Sequence, residues 1–185
     1  MGIWMELERY RREGSTYCID LYFQDYSQLY DNRDPAPFIE RDLDEEFIKY
    51  LMLCMEEIPE NEQKKIVLKG PPVEKGSKAQ EQFVEAFHRY FEHEIRFLQG
   101  QLKALFRQGR TSLFFGISFL IICLFLATKL IIGATLFQQI FREGLVIMGW
   151  VALWKPINIF LYEWWPHLRM RKIYKYLSKI KIEFR

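Results

Sequence analysis

Residues 111–165, TSLFFGISFLIICLFLATKLIIGATLFQQIFREGLVIMGWVALWKPINIFLYEWW, decide the fold. Residues 112–132 carry one charge, Lys129, near their far end. At 1.5 Å per residue they reach about 30 Å, the hydrocarbon thickness of a bilayer. Residues 145–165 predict a second span, with Tyr162, Trp164 and Trp165 suited to an interfacial belt. Between the two, Leu136, Phe137, Ile140 and Phe141 alternate with Gln138, Gln139, Arg142 and Glu143. That spacing predicts a short interfacial helix within an external connection, residues 133–144.

The charges around this hairpin are asymmetric. Residues 1–110 hold 16 Lys/Arg and 21 Asp/Glu, a net −5, whereas residues 166–185 hold 7 basic residues and one acid, a net +6. Arg107 and Arg110 precede the first span and the basic tail follows the second, which predicts cytoplasmic termini. A nucleic-acid binder would carry its basic charge on the folded domain, so no nucleic-acid partner is expected. In the tail, Arg169, Arg171, Lys172, Lys175, Lys179 and Lys181 surround Ile173, Tyr176, Leu177 and Ile180. This pattern suits a basic amphipathic helix lying on anionic lipids of the bilayer surface. Docking onto the acidic N-terminal domain is the rival placement.

Upstream, residues 16–26, TYCIDLYFQDY, read as a half-buried strand whose more apolar face holds Ile19, Leu21 and Phe23. Residues 3–14 are a short helix or an extended lead-in. The loop around Asp34-Pro35 and Ala36-Pro37 excludes a helix. Its acids, Asp31, Asp34, Glu40, Asp42 and Asp44, lack calcium-loop spacing and are read as turn and cap formers. Residues 42–45 resemble a capping box. They open an amphipathic helix with Phe47, Leu51, Cys54 and Ile58 on one face, stopped by Pro59. Residues 64–69, KKIVLK, form a second strand, and residues 71–80 a polar loop. From about residue 77 a stripe of Val84, Phe87, Phe91, Ile95, Leu98 and Leu102 predicts a nearly straight stalk helix that continues into the first span. Gly100 and Gly109 soften it by about 1 kcal/mol each relative to Ala.

The expected fold is therefore a membrane α-helical hairpin of two transmembrane helices with a small N-terminal α/β (β-α-β) cytoplasmic domain. The parts are a domain over 1–76, a stalk helix over 77–110, the hairpin over 111–165 and the basic amphipathic cytoplasmic tail over 166–185. Two strands leave unprotected sheet edges, which favours a further N-terminal strand or a homo-oligomer.

Chemistry-bearing motifs are few. Cys18, Cys54 and Cys123 have no ligand or disulfide spacing and read as reduced apolar residues. No cleavable signal peptide is expected, and Glu6 stands where a myristoylation motif has Ser or Thr. Glu85-Ala-Phe-His88 is a single E-x-x-H step, whereas di-metal helical sites need two; it reads as a solvated face, and no metal or cofactor is expected. Nucleophile–base signatures and phosphate-binding glycine loops are missing, so the chain reads as non-enzymatic.

One constellation stands out. Lys155-Pro156 lies about ten residues into the second span, and a charge at that depth is costly. Pro156 deprives the Ala152 carbonyl of its usual amide donor. Lys155 and Asn158 are placed to serve the opened helix, while Glu163, about 12 Å along the axis, is distant for a direct contact. Lys155, Asn158 and Glu163 are thus candidates for a pore or a lipid-headgroup site. In the alternative, Lys155 sits at headgroup level beyond a kink at Pro156.

The segments DPAPFIERDLDEE (34–46), REGLVIMGWVALWKP (142–156) and IFLYEWWP (159–166) resemble a family of uncharacterised bacterial proteins of this size with two membrane spans. The resemblance implies a bacterial inner-membrane location and assigns no site residues. Together these readings predict an oligomeric, membrane-anchored scaffold or accessory subunit with a possible protein partner. The alternative is an oligomeric ion channel or membrane-disrupting effector with Lys155 and Asn158 facing the lumen.

Overall fold

The computed structural model describes residues 9–31, 33–37, 41–70, 78–130 and 135–185. Residues 3–8 of the lead-in, Glu40, residues 71–77 of the polar loop and residues 133–134 of the external connection lie outside them. In chain order the elements are β1 (Arg11–Glu13), β2 (Thr16–Tyr22), α1 (Glu45–Glu57), β3 (Gln63–Lys69), α2 (Lys78–Phe125), α3 (Leu136–Val151), α4 (Trp154–Asn158), α5 (Trp165–Leu177) and β4 (Lys181–Phe184). Short π turns follow α2 and α4, over Leu126–Leu130 and Ile159–Glu163. The chain divides into two units: the sheet unit, up to Arg96 plus Arg171–Arg185, and the helical unit, Phe97–Met170.

The sheet unit is a four-stranded mixed sheet of order β1-β2-β3-β4. β1 and β2 form an antiparallel hairpin, and β2, β3 and β4 run parallel. The hairpin turns at Gly14, whose φ of +64° suits a residue without a Cβ. Asp44, two residues beyond the expected cap, starts α1 by accepting the Phe47 amide N–H at 2.9 Å. The core joins Ile19, Ile66 and Leu68 of the sheet to Leu51, Cys54 and Ile58 at α1 and to Phe83, Phe87 and Phe91 of α2. On α2 the buried stripe thus begins at Phe83, while Val84 is only half-buried.

The C-terminal tail packs on the N-terminal domain, the rival placement, and not as a separate surface helix over residues 166–185. Ile173, Leu177 and Ile180, the face assigned to the leaflet, are buried in the sheet-unit core. Pro166 does not end the helix; it occupies the second position of α5, where no intrahelical amide is needed. After Leu177 the chain turns and adds β4 to the sheet, pairing Ile66 with Ile182 and Leu68 with Phe184. The sheet edges expected to need a second subunit are thus occupied by β1 and β4. The helical unit is inserted in the crossover between β3 and β4.

The sheet face opposite the core is also buried at Cys18 and Val67. In cross-strand register Cys18 lies between Arg11 and Lys65, and Val67 between Asp20 and Glu183. Long stems lie along such a surface while their heads pair. Arg11 binds Asp20 at 2.9 Å; Lys65 bridges Glu13 and Glu183, the latter at 2.7 Å; Arg185 binds Glu13 at 2.8 Å. These cations hold the Glu13 and Glu183 carboxyls down at about 2, from an ordinary 4.5, chiefly through the Lys65 hydrogen bonds. A depressed folded-state pKa contributes stability above the unfolded value and loses it as pH falls through the folded value. Hydrogen-exchange protection at β4 is therefore expected to hold down to about pH 4.5 and to decline between about 4.5 and 2. Protection that instead falls between pH 7 and 5 would show that these pairs do not hold the strand.

The helical unit contains two helices long and apolar enough to cross a membrane, within Lys78–Lys129 and Leu136–Leu177. α2 is uninterrupted for 48 residues, in line with the stalk continuing into the first apolar window. The second helix differs from expectation. Residues 136–144 are not a separate interfacial helix but the first turns of α3, which runs unbroken to Val151 and is capped by Thr135 with Gln138.

Candidate functional site

Three glycines set the register of the helical pair. A Cβ on Gly109 would meet Ile159 Cγ2 at 3.0 Å, one on Gly116 the Ala152 carbonyl oxygen at 3.0 Å, and one on Gly149 Leu120 Cδ1 at 2.8 Å. As one helix ascends from 109 to 120 the other descends from 159 to 149, so the two are antiparallel. Phe106 stacks on Phe160 at 6.3 Å in the same register. The Ala152 oxygen, left without an amide by Pro156, faces the bare backbone of Gly116, where an added Cβ would be a tight contact.

This register locates Lys155 level with Phe114, close to the end of the pair that carries Arg107 and Arg110. Counting from the true start of the helix, Lys155 is about 19 residues past Leu136, about 30 Å of helix. A second span started at residue 145 leaves Lys155 between two depths, its middle or headgroup level beyond Pro156; the longer helix puts it toward the end.

Lys155, Asn158 and Glu163 do come together, and the expected separation of Lys155 from Glu163 is overturned. The Lys155 ammonium and the Asn158 amide both donate to Glu163 Oε1, each at 2.7 Å. The π turn over Ile159–Glu163 explains this. Its i→i+5 bonding places more residues in each turn, so positions eight apart return to one face over a shortened rise. Side chains satisfy carbonyls beside the wide turn: Trp164 Nε1–H donates to the Phe160 carbonyl at 2.8 Å, and a His167 ring nitrogen lies 3.1 Å from the Glu163 carbonyl. Pro156 and Ile159 are buried, whereas Lys155 is exposed.

The tail lysines belong to a second feature, wholly within the sheet unit. Lys175, Lys179 and Lys181 join Lys64 and Lys65 around a cavity of 540 Å³ at the starts of β3 and β4. Tyr176 forms part of its wall; its hydroxyl accepts the Lys64 amide N–H at 2.8 Å. Lys65 is paired with Glu13 and Glu183, and Lys181 with Glu183 at 2.9 Å. Lys64 is buried, donating to the Pro59 and Glu62 carbonyls at 2.7 and 3.2 Å, and burial pushes its ammonium pKa down. Arg169 and Lys172 are exposed, Lys172 lying 3.9 Å from Glu60, and Arg171 is half-buried with its Nε lacking a hydrogen-bond partner. Sequence reasoning missed Lys64 and Lys65 because neither placement of the tail supplied the strand register that brings them together.

Among the described residues no group of three His, Cys, Asp or Glu side chains is placed to hold a metal ion. The acidic-loop side chains are used locally: Asp31 binds Arg33, and Asp34 accepts the Ala36 and Asp42 amide N–H groups. His88 is not on a solvated face; its Nε2 lies 3.1 Å from the Ile180 carbonyl and tethers α2 to the turn before β4. Cys18, Cys54 and Cys123 are buried and unpaired. Comparison with protein-family models, curated proteins and solved structures finds no match.

Proposed function

We propose that the chain is a non-enzymatic integral protein of the bacterial inner membrane, a scaffold or accessory subunit with its sheet unit and both termini on the cytoplasmic side. The helical unit is the anchor. The observation that carries this is the apolar surface of the helical pair. Phe114, Phe115, Ile121, Ile122 and Phe125 on α2, with Phe137, Ile147, Trp150 and Trp154 on the second helix, are all at least 55% exposed. Water-soluble monomers rarely present an apolar surface of this extent, and lipid is the solvent that suits it. Arg107 and Arg110 mark the cytoplasmic end of the pair.

In this reading Lys155 stands at headgroup level, at the same end as the two arginines. Its charge is met by Glu163 within one helix. Both points support an anchor with a closed centre over a lumen lined by Lys155 and Asn158, since a paired charge needs no water column to offset it. The scaffold role rests on the sheet unit, in which β1 and β4 cover the outer sides of β2 and β3 from its own chain. Association is then left to exposed surfaces. Alkaline carbonate extraction is expected to leave the chain in the membrane fraction, and mild detergent to release it in a particle larger than one copy. Release by carbonate would refute the anchor; a bare monomer without any companion would refute the scaffold.

A further inference from the structure

We propose that the lysine-lined cavity at the starts of β3 and β4 binds a phosphate-bearing anion. Its charge is unbalanced. Among the described residues, Glu13 and Glu183 are the carboxylates of the lining, and both are already committed to Lys65, with Arg185 on each and Lys181 on Glu183. Lys175, Lys179 and the buried Lys64 have no carboxylate within ion-pair distance among the described residues. Two lysines at the end of α5 complement the negative end of that helix. Lys64, Lys65 and Lys181 come from strands and have no such role.

Shape and donor type select the ligand class. A cavity of 540 Å³ is of small-ligand size and has no room for a protein helix. Among the described residues its cations are all lysines, point charges on rotatable stems, and no arginine lines it. Arginine forks match planar carboxylates, whereas separate ammonium groups converge on a tetrahedral phosphate from several directions. Lys64, held by two carbonyls, and the Tyr176 hydroxyl fix one wall, while exposed Lys175 and Lys179 are free to close on the anion. The phosphate has two possible sources, a lipid headgroup or a soluble phosphate compound. The inference concerns the sheet unit and holds or fails independently of the membrane anchor.

The test is calorimetric titration of the full chain in neutral detergent at low salt, with inorganic pyrophosphate in one arm and dihexanoyl phosphatidic acid in the other. Binding of both probes, or of pyrophosphate alone, assigns a soluble phosphate compound; binding of phosphatidic acid alone assigns a lipid headgroup; each supports the proposal. The Lys175→Glu/Lys179→Glu variant is expected to weaken binding at least about tenfold. Lys49→Glu, an exposed change on α1, is expected to leave it unaltered. Lys175→Ala/Lys179→Ala replaces the reversal variant if that one fails to fold. The proposal is overturned if neither probe binds, if the lysine variants bind as the parent does, or if citrate binds as tightly as pyrophosphate.

Discussion

Leu177→Ala is expected to destabilise the sheet unit by about 2–5 kcal/mol. Leu177 is fully buried between Ile173 and Ile180 of the same core that holds Ile19, Ile66 and Phe87. Its removal leaves a cavity at the point where α5 hands the chain to β4. Folded domains are stable by only about 5–15 kcal/mol, so a loss of this size is measurable across the whole unit. Hydrogen exchange at the β3 amides, far away in sequence, should accelerate in parallel with exchange at β4. Lys172→Ala, at an exposed site on the same helix, should change stability by less than about 0.5 kcal/mol. A tail lying on a leaflet makes the opposite prediction: Leu177→Ala would weaken lipid binding and leave β3 exchange untouched.

The second large effect is expected in the helical pair. A Cβ at Gly116 would stand 3.0 Å from the Ala152 oxygen and 3.0 Å from Leu153 Cδ2. The first of these atoms is backbone beside the Pro156 break and cannot step aside alone. Gly116→Val is therefore expected to cost about 1–3 kcal/mol by forcing the helices apart, with Gly116→Ala costing less. Gly100 is the control. No atom of the described residues lies within 4 Å of a Cβ there, and Gly100→Ala should stabilise the helix by up to about 1 kcal/mol. Thermal unfolding in detergent should show shifts of opposite sign for the two sites. Equal shifts would mean that the helices do not meet at Gly116.

The long periodic elements were legible because their signals are local. The stripe through Phe87, Phe91 and Leu98, the apolar windows and the Phe47–Ile58 face all follow from spacing within one segment. The same holds for β2 and β3. What escaped was pairing over long sequence distances. β4 is short and charged, but Ile180, Ile182 and Phe184 alternate with Lys181, Glu183 and Arg185 at strand period, and that was the available signal. A helical reading of the tail hid it, since Ile173, Leu177 and Ile180 also share a helical face. The lysine cavity was illegible for the same reason: its walls are more than a hundred residues apart. In the second helix, the partner of Lys155 was missed because an α-helical ruler was applied across a π turn. Its depth was left open between the middle of the span and headgroup level because polar Gln138, Gln139 and Arg142 looked like a break before the helix.

The most direct test of the anchored arrangement is side-specific labelling in sealed membrane vesicles. Native Cys18, Cys54 and Cys123 are buried, so cysteines introduced at exposed positions will dominate the signal. Lys49→Cys in α1 and Lys179→Cys after α5 sit on the sheet unit, and Gln139→Cys lies near the start of α3. An impermeant maleimide is expected to label positions 49 and 179 from the cytoplasmic face only and position 139 from the opposite face only. Labelling of all three positions from a single face would contradict the anchored arrangement.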